Sequence, residues 1–173
     1  MINSAPIRSV LVCEQKQSEA LQLRASLGNS ADRDVLLENP DAIELSIEQI
    51  AGGNVFVVES DGLIVGFAAI VPRADGDSEL DALFVEPEKW RHGIALMLIT
   101  HCQDAARQRG SKTIYAIGNP HAKDFYSAVG FNLVGTTQTR FGVGLLFCLA
   151  VDCNHPRVNT SYAADRKTPP AQL

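Results

Sequence analysis

Two stretches of the sequence carry residue types whose spacing could bind and react with a small ligand. The first, ELDALFVEPEKWRHGIALMLI (79–99), passes from a strand ending at Val85 through a glycine-containing turn into a long helix. Backbone N–H groups at such a helix start have no carbonyl partners and, with the helix dipole, can hold an anion. The donors here are those of Arg91, His92, Gly93, Ile94, Ala95 and Leu96. Glycine lets a phosphate approach closely, although an ordinary strand-to-helix turn has the same spacing.

The second stretch, NPHAKDFYSAVGF (119–131), offers an amide and a phenol. Asn119 follows a predicted strand, where its side chain could hydrogen-bond an extended ligand. Tyr126 carries a hydroxyl with a pKa of about 10 and could act as a proton donor. Both residues also have purely structural interpretations. Asn119 before Pro120 is a helix cap, and Phe125 and Tyr126 are core aromatics.

Hydrophobic periodicity and chain-breaking residues predict the elements that position these stretches. Strands are predicted at Ile7–Cys13, Val55–Ser60, Leu63–Val71, Glu79–Val85, Thr113–Ile117, Phe131–Gly135 and Phe141–Val151. Helices are predicted at Ser18–Leu27, from Asn39–Pro40–Asp41 to Gly52, from about His92 to Arg109, and from Asn119–Pro120 to Gly130. The order β-α-α-β-β-β-α-β-α-β-β predicts a mixed α/β sheet with helices on both faces.

Apolar stripes predict which helix faces meet the core. They are Ala20, Leu23 and Leu27 in the first helix, Ile43, Ile47 and Ile50 in the second, and Ala95, Leu98, Cys102 and Ala105 in the third. Strand alternation places Glu79 and Asp81 on one face of their strand. The same alternation places Leu80, Ala82 and Phe84 on the opposite face.

Composition excludes several classes of protein. The 173 residues are 46% hydrophobic with a net charge of −5, so broad attraction to nucleic acid or an anionic membrane is not expected. The longest apolar runs, Leu63–Val71 and Phe141–Val151, are too short to span a membrane. The four cysteines have neither zinc-site nor disulfide-framework spacing, and the N-terminus lacks a signal peptide. We therefore expect a cytoplasmic protein without a metal site.

Together and in this order, the two stretches resemble the GNAT superfamily of N-acetyltransferases. That family has a Q/R-x-x-G-x-G/A turn opening a helix and, farther on, an N-x-x-A-x-x-F-Y-x-x-x-G-F pattern. The second pattern is met by Asn119, Ala122, Phe125, Tyr126, Gly130 and Phe131. The first is met by Gly93 and Ala95, whereas Trp90 stands at the Gln/Arg position. The resemblance covers roughly residues 55–151 and implies a GNAT domain at 1–153, followed by a polar tail at 154–173.

The resemblance implies acetyl-CoA as cosubstrate, lying where two parallel strands diverge. Its pantetheine arm would pair with the backbone of Phe84 and Val85, and its pyrophosphate would bind at the turn from Arg91 to Leu96. The motif also assigns Asn119, Ala122 and Phe125 to the cofactor site. In this interpretation the Asn119 amide helps to hold the pantetheine and Phe125 packs beside it.

The resemblance further assigns the proton transfers. Tyr126 falls at the family's general-acid position, where it would protonate the departing thiolate. Glu79 is the first candidate for the base, because some family members place a glutamate six residues before the position of Val85. Asp81 is the second candidate, and a solvated strand end explains both acids equally well. Five acids lie in the region that usually covers the acceptor pocket and could attract an amine, namely Asp32, Asp34, Glu38, Asp41 and Glu44.

The implied activity is acetyl transfer to a primary amine by direct attack. A small amine is preferred as acceptor, a protein N-terminus or lysine comes next, and RNA is disfavoured by the negative charge. Two alternatives are a non-catalytic sensor that binds acyl-CoA, which the substitution at Trp90 favours, and an interaction domain with accidental motif matches. A homodimer is left open.

Overall fold

The computed structural model describes residues 6–152. Its strands are β1 (Ile7–Ser9), β2 (Val55–Ser60), β3 (Leu63–Pro72), β4 (Ser78–Val85), β5 (Thr113–Gly118), β6 (Asn132–Thr139) and β7 (Gly142–Ala150). Its α-helices are α1 (Gln15–Leu27), α2 (Ser30–Glu38), α3 (Ile47–Ala51), α4 (Ile94–Gln108) and α5 (Lys123–Ala128). Short 3₁₀ turns lie at Val12–Glu14, Pro40–Ala42, Pro87–Lys89 and Pro120–Ala122. The predicted tail at 154–173 lies outside the described residues.

The strands form one mixed sheet in the order β1-β2-β3-β4-β5-β7-β6. Every neighbouring pair is antiparallel except β4 and β5, which are parallel. The predicted mixed α/β fold is therefore confirmed. Among residues 6–152, no helix combines the length and apolar character that crossing a membrane requires.

Helices cover both faces of the sheet and enclose two main cores. On one face α4 and α5 pack on the strands through residues such as Leu98, Cys102 and Tyr126, all almost fully buried. On the other face Leu21 and Ala25 of α1 and Ile50 of α3 pack on strand residues. The predicted stripe of α4 is confirmed, because its remaining members also pack against the first core.

The β4–β5 pairing is short, and a β-bulge follows it directly. Only Ser78, Glu79 and Leu80 of β4 pair with β5. The register of β4 against β3 then shifts, so that Leu80 pairs with Ile70 and Ala82 with Ala69. Asp81 is the extra residue of this bulge. The prediction that Leu80 shares a face with Ala82 and Phe84 is wrong, because the bulge sends Leu80 to the α4 side and the other two to the α1 side.

The region between α1 and β2 differs most from the prediction. One helix was expected from Asn39 to Gly52, but the chain forms α2 before Asn39 and α3 after Ser46. Asn39 does not cap a helix, since its amide donates to the Val35 carbonyl at 2.9 Å. Ser46 is the actual cap of α3, accepting from the Gln49 N–H. Of the predicted stripe only Ile50 is buried, because Ile43 lies before α3 and Ile47 is exposed at the start of this short helix.

The predicted apolar stripe of α1 does not face the sheet. The fully buried side of α1 carries Ser18, Leu21, Gln22, Ala25 and Ser26, whereas Leu23 is exposed. Leu23 and Leu27 instead line an open groove of about 470 Å³ with Leu36 and Leu37 of α2. The apolar stripe thus marks the side of α1 that meets α2, a helix that the periodicity did not reveal. β1 also ends earlier than expected, at Ser9, because Val12–Glu14 form a 3₁₀ turn.

Candidate active site

A gap opens inside the sheet where β4 and β5 separate. Their last pair joins Leu80 to Ala116, after which β4 runs on to Val85 and β5 to Gly118 without pairing to each other. Each strand keeps its other neighbour, β3 for β4 and β7 for β5. The edges that face the gap therefore present backbone groups to which an extended ligand can hydrogen-bond, as an added strand does.

The turn between β4 and α4 leads directly into a helix N-terminus. Gly93 precedes the helix with φ of 80°, and Arg91 also has a positive φ of 64°. A left-handed backbone is costly for a non-glycine residue and is often kept for function. The Met97 N–H donates to the Gly93 carbonyl at 3.0 Å. The N–H groups of Ile94, Ala95 and Leu96 precede that bond, so helix geometry leaves them free for an anion.

The Trp90 side chain forms a hydrogen bond across this turn that the sequence motifs do not predict. Its indole N–H donates to the Val85 carbonyl at 2.8 Å. The Trp90 carbonyl lies 2.8 Å from Nδ1 of His92, whose side chain is exposed. The residue that departs from the family pattern thus fixes the end of β4 against the loop. One of the backbone groups assigned to the pantetheine arm, the Val85 carbonyl, already accepts this bond.

A cavity of about 610 Å³ joins the two stretches singled out in the sequence. From the first stretch it is lined by Val85, Lys89, Trp90, Arg91, Gly93, Ile94, Ala95 and Leu96, and from the second by Phe125, Ala128 and Val129. His92 lines a separate pocket of about 490 Å³ between α4 and Ile7 of β1. The side chain of Phe84 is buried in the α1-side core against Phe67, so only its backbone can reach a ligand. Ala122 is buried in the α4-side core.

Tyr126 is fully buried beside the end of β5. Its ring stacks on Phe147 with centroids 4.6 Å apart, and Phe131 and Phe125 meet it edge-on. Its hydroxyl has no hydrogen-bond partner within the part of the chain that the structure describes. Burial raises the pKa of Tyr126 well above its usual value, so the phenol stays protonated at neutral pH.

Gly118 makes room for this ring. A Cβ at that position would lie 2.7 Å from Cε2 of Tyr126, closer than real contacts permit. Gly118 was not among the predicted site residues, although its position just before Asn119–Pro120 was the available signal. The glycine at the end of β5 thus leaves the space that the ring of Tyr126, the proposed general acid, occupies.

The two candidate bases flank the point where the strands part. Glu79 lies one residue before the last β4–β5 pair and Asp81 one residue after it. Glu79 is buried, with Oε2 3.9 Å from Nη1 of Arg73. Asp81 accepts a 2.9 Å hydrogen bond from the Gln49 amide of α3. Burial raises the pKa of Asp81 above its usual range, and the bond from Gln49 acts against that rise. Both carboxylates lie at the apex of the gap.

A model of the acetyltransferase (GNAT) family matches residues 25–131. The chain belongs to this family. Over 79 residues, 44% of the chain, it is 38% identical to the amino-acid acetyltransferase of Pseudomonas fluorescens (strain SBW25). The matched part of this chain covers only 17% of that relative's length. The resemblance stated from the motifs is therefore confirmed, and the matched residues 25–131 include both motif stretches.

Solved GNAT structures share the fold. The PaiA N-acetyltransferase of Thermoplasma acidophilum, in complex with coenzyme A, superposes with a TM-score of 0.70 at 14% identity over 85% of this chain and 99% of that one. The N-acetylglutamate synthase of Neisseria gonorrhoeae, complexed with coenzyme A and N-acetylglutamate, gives 0.65 at 20% identity over 86% and 35%. At these identities the similarity establishes the fold alone.

In this GNAT chain Asn119 connects the end of β5 to α2. Its Oδ1 accepts from the Ala122 N–H at 2.9 Å, so the capping interpretation is confirmed. Its Nδ2 donates to Oδ1 of Asp32 at 2.9 Å, which leaves one N–H for a ligand. The assignment of Asn119 to the pantetheine arm stays a prediction.

Asp32 differs from the four other acids named with it in the sequence. Asp34, Glu38, Asp41 and Glu44 are exposed, as expected of a solvated acidic surface, whereas Asp32 is only 8% exposed. Burial raises the pKa of Asp32 to about 6, while the bond from Asn119 and the nearby His121 act in the opposite direction. Sequence spacing gave no signal that would single out this carboxylate.

Proposed function

We propose that this chain transfers the acetyl group of acetyl-CoA to a primary amine by direct attack. The observation that supports this most strongly is the gap between β4 and β5. Two carboxylates lie at its apex, Tyr126 lies beside the end of β5, and a helix N-terminus opens next to the end of β4. These are the groups that the reaction requires, brought together from separate parts of the sequence.

The residues around the gap fit the cosubstrate. The edge of β4 at Phe84 and Val85, which does not pair with β5, suits the amide groups of the pantetheine arm, apart from the Val85 carbonyl, which already accepts from Trp90. The N–H groups that begin α4, with the positive charge of Arg91 beside them, suit the pyrophosphate. The cavity of about 610 Å³ lies between them and is bordered by Phe125. Its volume is within the usual range for sites of small molecules and cofactors.

Glu79 or Asp81 would remove the proton that an amine acceptor carries. An amine with a pKa of about 10 is neutral in only about one molecule per thousand at pH 7, which costs roughly 4 kcal/mol if nothing assists. A carboxylate at the apex takes this proton directly or through a water molecule. Burial of Asp81 favours proton uptake by this carboxylate, because it disfavours the charged form.

Tyr126 would complete the transfer. Acetyl-CoA supplies a thioester, and as the amine nitrogen bonds to its carbonyl carbon, the C–S bond breaks. The Tyr126 hydroxyl, which has no other partner within residues 6–152, donates its proton to the leaving sulfur. A desolvated thiolate has a raised pKa, which offsets part of the rise that burial causes in the pKa of Tyr126. No covalent acyl-enzyme is required.

A small amine is the acceptor class that we propose. The acceptor would approach the thioester from the side of the sheet that α1 and α3 cover, opposite the α4–α5 cavity. Asp32 and Asp81 supply negative charge there. Amino acids are the first subclass to test, since the Pseudomonas relative is an amino-acid acetyltransferase. A protein N-terminus or a lysine is the second class.

The proposal is tested by thiol release from acetyl-CoA in the presence of L-amino acids, diamines and a lysine peptide, with mass spectrometry of the amine. We expect coenzyme A and the acetylated amine to form in equal amounts. A second candidate, an acyl-CoA sensor, is favoured by the Trp90 indole occupying the Val85 carbonyl. The sensor predicts acetyl-CoA binding with no amine-dependent thiol release, which would refute the proposed enzyme activity.

A further inference from the structure

An arginine outside both motif stretches lies beside Glu79 at the apex of the gap. Arg73 belongs to the loop between β3 and β4, and its Nη1 is 3.9 Å from Oε2 of Glu79. The two side chains are only 12% and 8% exposed, so water screens the pair weakly. At this separation the contact is an ion pair rather than a hydrogen bond. The charge of Arg73 therefore acts on the carboxylate that is the first candidate for the base.

Two neighbouring side chains hold the Arg73 guanidinium in this place. Its Nε and Nη2 donate to the carboxylate of Asp75 at 3.1 and 2.7 Å. Its central carbon lies 4.5 Å from the centroid of the Tyr115 ring, within cation–π distance. Tyr115 is the β5 residue that pairs with Glu79 across the two parallel strands. The strong hydrogen bonds of Arg73 thus go to Asp75, while Glu79 receives the charge at a longer distance.

The loop that carries Arg73 is itself fixed by backbone hydrogen bonds. The Arg73 N–H donates to the Asp77 carbonyl at 2.8 Å, and the Gly76 N–H donates to the Arg73 carbonyl at 3.2 Å. Oδ1 of Asp77 accepts from the N–H groups of Lys112 and Thr113, both at 3.0 Å, at the start of β5. A charge held in this way before the reaction acts without further reorganisation.

The remaining titratable groups around Glu79 do not favour its ionised form. Asp75 and Asp77 follow in the same loop, and Asp81 lies two residues farther along β4. Like charges and burial both disfavour a carboxylate, and Glu79 is buried. The buried side of α1, which contacts β4, carries side chains that do not ionise at neutral pH, namely Ser18, Leu21, Gln22, Ala25 and Ser26. Arg73 is the group that offsets these effects.

We propose that Arg73 is a positioning residue of the acetyl transfer, whose guanidinium keeps the Glu79 carboxylate ionised so that it can accept the proton of the amine. This inference rests on the proposed function and on Glu79 as its base. A glutamate that is already protonated cannot take up a proton, so a buried base at neutral pH requires an unlike charge nearby. The proton passes from the amine nitrogen to a carboxylate oxygen of Glu79, directly or through water, and then returns to solvent.

The first test titrates Glu79 directly and needs no substrate. Glutamate labelled with ¹³C at the side-chain carboxyl is assigned with Glu79→Gln and followed by NMR against pH. We expect the midpoint of the Glu79 titration to lie about one pH unit or more higher in Arg73→Met than in wild type, and Arg73→Lys to restore most of the difference. Arg8→Met is the matched control, because it removes an arginine paired with Glu14 and Glu59 on the β1 edge of the sheet, and it should leave the midpoint unchanged.

An equal midpoint in wild type and Arg73→Met overturns the proposal. If Arg73→Met does not fold, as circular dichroism would show, Arg73→Gln takes its place, because a glutamine amide can still donate to Asp75 while lacking the charge. The same upward shift of the midpoint is expected for this variant, and its absence has the same consequence.

Kinetics give a second readout with an amine that the thiol-release assay accepts. The low-pH limb of kcat/KM should move upward by the same amount in Arg73→Met, so that the rate on that limb falls about tenfold or more and recovers to within about threefold of wild type at high pH. A uniform loss of rate with an unmoved limb would mean that Arg73 only supports the fold, and the inference is wrong. Absence of thiol release with any amine in wild type would refute the proposed function, whereas the carboxyl titration decides whether Arg73 keeps Glu79 ionised.

Discussion

The indole N–H of Trp90 donates a 2.8 Å hydrogen bond to the carbonyl oxygen of Val85, the last residue of β4. This bond holds the loop before α4 against the strand edge that faces the gap. The Trp90 ring also lies against Gly28 after α1, since a Cβ there would be 3.3 Å from it. One side chain thus connects the end of β4, the turn before α4 and the end of α1, the helix that covers the opposite face of the sheet.

Replacing Trp90 tests this connection. Trp90→Phe keeps most of the packing but removes the donor, so we expect a loss of about 1 kcal/mol of stability and a several-fold weaker Kd for acetyl-CoA. Trp90→Ala also removes packing and should cost more stability. Thermal unfolding and calorimetric titration measure both effects. An unchanged Kd in Trp90→Phe would show that the bond does not shape the cofactor site.

Gly93 and Gly110 provide a matched pair of tests at the two ends of α4. Both have φ of 80°, and a Cβ at either would meet nothing within 4 Å. Alanine at each position should therefore cost about 1–2 kcal/mol through backbone strain alone. Only Gly93→Ala should also weaken acetyl-CoA binding, because it alone borders the cavity. Equal Kd values for the two variants in calorimetry would argue against a phosphate site at the α4 N-terminus.

Tyr126→Phe should lower kcat by about tenfold or more while leaving the Kd for acetyl-CoA unchanged. The same change removes a buried hydroxyl that has no partner within the described part of the chain, so stability should stay equal or rise. Steady-state kinetics and thermal unfolding separate these effects. A loss of activity that merely accompanies a loss of stability would mean that the hydroxyl serves structure.

The base can be assigned from the pH dependence of kcat/KM. A carboxylate base works only when ionised, so the rate falls as the pH falls through its pKa, and burial places that fall for Asp81 above the usual aspartate range. We expect Glu79→Gln to depress the low-pH limb more than Asp81→Asn does. Small and equal effects of the two substitutions would remove both residues from the proton transfer.

The fold was largely predictable where local signals agree with the tertiary structure. The predicted strand Val55–Ser60 and the predicted apolar stripe of α4 both rest on local patterns, and the structure contains each of them. Helix α2 was not predicted, because its residues Leu36 and Leu37 lie beside α1 rather than on the sheet. The bulge at Asp81 escaped because it arises from pairing with β3.

The candidate site was only partly predictable for the same reason. The motif residues that line the cavity could be named because each stretch is continuous in sequence. The bond between Asp32 and Asn119 joins residues 87 positions apart, and Gly118 is required by the ring of Tyr126 rather than by its own backbone. Such contacts exist only once the chain has folded.

Thermal unfolding with acetyl-CoA tests the central claim, a cosubstrate site in the β4–β5 gap, most directly. At about a hundred times the dissociation constant, binding adds roughly 2.7 kcal/mol of stability. For a domain of this size Tm should then rise by about 5–10 °C, with a much smaller rise for free ADP. No rise at saturating acetyl-CoA, or an equal rise with ADP, would contradict the account.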